Sequence, residues 1–162
     1  EPGHGTSFVL ELPRSQSVEV LDALVIRVAN QKFALPLDNI LESFVASNVE
    51  ITSVEGRGEM VEVRDSIQPL HRIREFFRIT SADVKHKNEV MLLLEDEGFE
   101  FAVLADQLGQ QQKVVLKDLG PVFREVDYAS GAAVMGNGNI CIVLDVQKLG
   151  EAARNFSRNS VP

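Results

Sequence analysis

Apolar and polar residues alternate along most of this chain, so the dominant period is two, that of a strand with one buried face. "ALVIRV" (23–28) and "KFALPL" (32–37) flank the polar break "ANQ", which is of hairpin length. "VEITSV" (49–54) leads into "EGRGE", whose two glycines mark a reversal, and "MVEVR" (60–64) resumes the alternation. "EVMLLLE" (89–95) and "FEFAVLAD" (99–106) flank "DEG", a hairpin signal, and "KVVLKDL" (113–119) adds a strand. In "GAAVMGNGNICIVLDV" (131–146), Asn137-Gly138 supplies the positive φ angles that a tight turn needs. Two stretches carry helical spacing instead. Leu70, Ile73, Phe76 and Phe77 share one face of a short helix after Pro69, and Leu149, Ala153 and Phe156 mark a C-terminal helix that frays into "SRNSVP". The polar stretch "ITSADVKHKN" (79–88) predicts a connector between lobes. About ten short strands with closely spaced turn signals make the class mainly β, as small barrels or a sandwich.

Composition narrows this picture. A chain of 162 residues with 44% apolar content suits one domain or two small lobes sharing a core. The net charge of −8 argues against a nucleic-acid partner, which needs a basic face. No apolar run approaches the roughly eighteen residues that span a bilayer, and the start of the chain lacks a signal-peptide pattern. The single Cys141 excludes an internal disulfide and fits a reducing compartment. With no Trp and one Tyr, a binding surface must come from Phe and aliphatic side chains, which counts against the aromatic groove of a proline-rich-peptide binder.

Catalytic patterns are missing. His4, His71 and His86 give no pair at metal-ligand spacing. His71-Arg72 on a helix could be a phosphoacceptor, but no acidic or lysine companion follows at a useful offset, which favours a partly exposed helix histidine. Glu95, Asp96 and Glu97 crowd a hairpin tip, where acids are solvated turn residues. Gly3, Gly5 and Thr6 in "EPGHGTSFVLELP" would suit a phosphate-cradling loop, yet no complete phosphate loop with its lysine and no nucleophile elbow occurs. The chain reads as a non-enzyme. Glu42 and Arg64, at strand ends of one lobe, are either two solvated charges or a bidentate bridge; composition alone favours the former.

Taken in order, "LDALVIRVANQKFALPLDNILESF", "MVEVRDSIQPLHRIREFF", "FAVLADQL…QQ…VVLKDL" and "GAAVMGNGNICIVLDVQKL" resemble the C-terminal regulatory, CheW-like domain of the chemotaxis histidine kinase CheA. The resemblance implies two five-stranded SH3-like barrels side by side around a shared core, over residues 20–152. It makes residues 153–162 the end of a helix and a tail. Residues 1–19 are similar to the end of the preceding ATP-binding domain, with Gly3, Gly5 and Thr6 as a remnant of its last glycine box. ATP and magnesium then belong to the parent kinase, and this chain holds no cofactor. The implied partners are the adaptor CheW, chemoreceptor tips and the kinase's own ATP-binding domain, in the cytoplasm and recruited to membrane receptor arrays. The implied role couples receptor state to autophosphorylation; a freestanding coupling adaptor of the same fold is the alternative.

By position, Glu42 and Arg64 match a family Glu–Arg pair, which tips the balance toward the bridge. Ile67 falls at the family's adaptor interface, and two readings stand: an exposed anchor, or a loop residue tucked into the core. Phe123 is either a second apolar contact on the other lobe or plain packing, with packing favoured. Arg64 joins Ile67 and Phe123 in the implied partner-binding set. Three departures stand out. Asp65 replaces the usual glycine, so either a positive-φ turn there is strained or the loop is shaped differently. Gly109 is shifted by about one place from the family pattern. Ile67 is aliphatic where an aromatic is common.

Overall fold

A computed structural model describes residues 18–80, 88–117 and 126–158, the side chains of 156–158 excepted. Its strands are β1 (Glu19–Val28), β2 (Gln31–Pro36), β3 (Ile40–Val45), β4 (Ile51–Val54), β5 (Gly58–Val63), β6 (Ser66–Arg72), β7 (Val90–Asp96), β8 (Phe99–Ala105), β9 (Gln107–Lys117), β10 (Ala129–Val134) and β11 (Ile140–Leu144). Helix α1 (Ile73–Phe76) follows β6, and α2 (Val146–Arg158) follows β11. Strands β1-β2-β11-β10-β9 close a five-stranded barrel, while β3-β7-β8-β6-β5-β4 form a six-stranded sheet. The first lobe is thus assembled from both flanks of the chain and the second from its middle.

This topology corrects the expected connector. Residues 79–88 follow α1 and lead to β7, in the same sheet as β6, and 81–87 lie outside the described residues. The chain crosses between lobes at the 3-10 turn Leu37–Asn39 and at Asp106, between β8 and β9. A polar run carries no information about a change of lobe, and both true crossings are too short to leave a compositional signal.

The mainly β, two-lobed arrangement is as expected; the second lobe differs in detail. It has six strands rather than five, and hydrogen bonds do not close it, leaving β3 and β4 as edges. The sheet curls, so that Phe44 of β3 and Ile51 of β4 pack on one core with Val61, Met91, Leu93 and Leu104.

Strand parity explains why "ALVIRV" is nearly continuously apolar. Ala23 and Val25 point into the barrel with Ala34, Val114, Ala133 and Val143. Leu24, Ile26 and Val28 point the other way, into a layer shared with Phe33, Leu35, Leu92, Leu94, Phe101 and Val103. Strands covered on both sides lose the one-faced alternation. Each large apolar side chain so buried contributes roughly 1.5–3 kcal/mol, which makes the layer the main bond between lobes. Helix α2 caps it with Leu149 and Ala153, as its spacing predicted. At Gly150 a Cβ would stand 3.1 Å from Asp96 Oδ2 and 3.3 Å from Phe101 Cε1, so the bare backbone permits this close approach.

Two local expectations are corrected. Leu70–Arg72 belong to β6, whose parallel pairing with β8 (Leu70↔Ala102, Arg72↔Leu104) overrides the helical spacing, and α1 is one turn only. In the β10–β11 connection Gly138 alone takes positive φ (82°), and Asn137 does not. The loop is longer than a two-residue turn: Gly138 N–H donates to Met135 O at 2.8 Å, and Asn139 N–H to the Asn137 side-chain oxygen at 3.1 Å.

Candidate partner-binding surfaces

The β5–β6 hairpin carries most of the predicted site. Val63 pairs with Ser66, leaving Arg64 and Asp65 as a two-residue turn. Their φ values are 52° and 61°, the doubly positive pattern of a turn that suits right-twisted strands. The strain foreseen at Asp65 is present, and Arg64 shares it. Beyond the turn, Ile67 lies opposite Glu62. Both side chains stand on the face turned away from Val61, Val63 and Leu70, which fill the lobe. Ile67 is therefore 70% exposed, so of its two readings the structure shows the exposed one.

Arg64 Nη2 donates to Glu42 Oε2, so the pair does meet. It is a single contact rather than a fork, with the side chains 61% and 37% exposed, and such a pair contributes at most about 1 kcal/mol. Its placement matters more than its energy. Glu42 sits on edge strand β3, and Arg64 caps the hairpin next to the opposite edge, so the contact ties the curled sheet across its open seam. Phe123, Gly3, Gly5, Thr6, His4 and His86 lie outside the described residues.

Three ionic clusters escaped the sequence reading. Arg72 grips Glu59 with Nε and Nη2 at 2.9 and 3.1 Å and reaches the buried Glu89 with Nη1 at 3.2 Å. The Glu59 hydrogen bond raises the guanidinium's already high pKa, so the charge is permanent. Asp106 accepts the Ala29 N–H at 2.6 Å and a bond from Arg74 Nη2, joining the β1–β2 turn to α1 at the lobe crossing. Arg154 of α2 holds Asp96 (3.1 Å) and stands 4.9 Å over the Phe99 ring, fixing the helix on the β7–β8 hairpin. Asp106 was in view as part of "DQL", a motif with no role attached; Arg72 was hidden by the helix assignment.

His71 is half-buried on β6, with its ring 5.5 Å from that of Phe76. Burial lowers its pKa, and the nearby Glu59 charge opposes that only in part. Cys141 is buried in the barrel, its thiol pushed up by burial and 3.7 Å from Ala133 O. Among the described residues no three His, Cys, Asp or Glu side chains group to hold a metal ion.

The chain is thus a two-lobed β framework with an exposed aliphatic residue beside a strained hairpin turn. Residues 22–154 match the family model of the CheW-like domain. The chain belongs to the CheW-like domain family. Its relatives include the chemotaxis protein CheA of Salmonella typhimurium, 31% identical over 91% of this chain and 22% of that protein. The chemotaxis protein CheA of Rhizobium meliloti is 31% identical over 97% and 21%. This CheW-like chain spans about a fifth of the length of these relatives. In fold it is similar to the scaffolding protein TtCheW from Thermoanaerobacter tengcongensis, with a TM-score of 0.67 over 78% of this chain and 90% of that one at 16% identity.

Proposed function

We propose that this CheW-like chain is the regulatory and scaffold domain of a CheA-type histidine kinase. In this reading it docks an adaptor of the CheW kind and chemoreceptor tips, and relays receptor state to the kinase's ATP-binding domain. It performs no reaction itself, and ATP and magnesium serve the parent kinase. The work would take place in the cytoplasm at membrane receptor arrays; no helix among the described residues is long and apolar enough to cross a membrane. The observation that carries the docking role is Ile67, an exposed aliphatic side chain beside the turn of the β5–β6 hairpin. A desolvated apolar anchor ringed by charge is how compact interfaces concentrate affinity.

The kinase parentage is favoured by the extent of the likeness. The Rhizobium meliloti CheA aligns over 97% of this chain, beyond the 22–154 stretch of the family model. The second reading, a freestanding adaptor, draws on the 90% coverage of the TtCheW chain.

The test is titration of the adaptor from the same organism against the chain and its Ile67→Asp variant. A carboxylate forced into a desolvated contact should weaken binding at least about tenfold. The fold should be unchanged, because Ile67 packs against no core. Equal affinity for both proteins would remove Ile67 as the anchor.

A further inference from the structure

We propose that the mouth of the first barrel is a second docking site, which takes an extended, acidic segment of a partner protein as an added strand. The inference goes beyond the adaptor reading and stands on the other lobe, with none of its residues near Ile67 in the chain.

Three observations converge there. The first is a free strand edge. Strand β9 pairs with β1 along most of its length, but with β10 only through Val115, Leu116 and Lys117. Among the described residues, Gln107–Gln112 therefore have no partner strand on their second side. The barrel is zipped at one end and parted at the other. A strand edge with unused N–H and C=O groups is a template for a further strand.

The second is a cleft in the parting, about 440 Å³ in volume, between the first half of β9 and the β10–β11 loop. Its floor includes Val25 and Met135, both buried members of the barrel core, and Leu108 stands 44% exposed at its rim. Gln112 is already turned inward, with its Nε2 3.5 Å from the Met135 sulfur. At Gly109 a Cβ would meet Val25 O at 2.7 Å, and the β1–β9 register shifts beside it, so a bulge bends the free edge at the barrel rim.

The third is charge. Arg27 and Lys32 line the cleft and lie directly opposite each other on β1 and β2. Like charges in that register destabilise a sheet. Acids outnumber bases 24 to 16 in the chain, yet among the described residues neither cation has an ion pair, and the cleft lining holds no acid. The ion pair between β1 and β9, Asp22 with Lys113, involves neither cation and is exposed. An unneutralised cation pair above an apolar floor, beside an open strand edge, selects a strand that alternates aliphatic and acidic side chains. The backbone would pair with β9, the aliphatic residues would meet Leu108 and the floor, and the carboxylates would neutralise Arg27 and Lys32.

The experiment uses an acetylated octapeptide of alternating valine and glutamate, its glutamine counterpart, and free sodium glutamate at matched carboxylate concentration. Binding is read by amide NMR and by hydrogen exchange. The acidic peptide should shift and protect amides within Gln107–Gln112, and binding should weaken about tenfold in Arg27→Gln/Lys32→Gln and with added salt. Ile67→Asp should leave it unchanged, which separates this site from the adaptor reading. Failure of the acidic peptide to bind, equal binding of the glutamine peptide, or the same response to free glutamate would each overturn the proposal.

Discussion

Gly109 and His71 show what single residues do for this fold. The bulge at Gly109 leaves no room for a methyl group, since the atom in the way, Val25 O, is backbone and cannot rotate aside. Gly109→Ala is expected to lower the free energy of unfolding by about 1–3 kcal/mol in urea titration, with the barrel seam the first region to lose exchange protection. Gly109, shifted by about one place from the family pattern, is thus a position the barrel requires. His71 gives the chain an acid sensitivity. Its folded-state pKa lies below the ordinary 6.5, so between those values the unfolded chain binds more protons. The His71 contribution to stability is complete above pH 6.5 and is lost as the pH falls through that value toward the folded pKa. Denaturant midpoints measured from pH 8 to 5 should fall on the acid side, and His71→Phe should flatten that part of the profile.

At the scale of elements, pairing partners explain both what was legible and what was not. The hairpins β7–β8 and β10–β11 were readable because their apolar runs and glycine turns are local. Strand β6 was not: Leu70, Ile73, Phe76 and Phe77 do fall at helical spacing, and only the distant β8 decides that Leu70–Arg72 extend instead. The first half of β9 was missed because "QLGQQQ" is polar, as a strand with an open edge at a barrel rim should be. Glu42 and Arg64 were singled out as opposed charges at strand ends, and the family pattern tipped them toward a bridge and pointed to Ile67; neither the single-contact geometry of the pair nor the exposure of Ile67 follows from their spacing. Arg72 joins β5, β6 and the start of β7 through Glu59 and Glu89, and Glu89 is 7% exposed. Arg72→Met keeps the side-chain volume but strips a buried carboxylate of its guanidinium, so a loss of about 3 kcal/mol is expected by thermal or urea unfolding. Loss of under 1 kcal/mol would mean that the cluster is screened like a surface pair.

Over the whole molecule, the two lobes are one body, because the strands facing each other are apolar on both sides, Asp106–Arg74 pins one crossing, and Arg154–Asp96 fixes α2 on the β7–β8 hairpin. A rigid body that docked partners on both lobes would hold them at a fixed spacing, as the proposed scaffold role requires. The most direct test of that account is the footprint of the cognate CheW adaptor on this chain, mapped by NMR cross-saturation. The account predicts a contiguous patch centred on Ile67 and the Arg64-Asp65 turn, with the shared interlobe layer untouched. A footprint that leaves the β5–β6 hairpin bare, or saturation spread through the interlobe core, would contradict it.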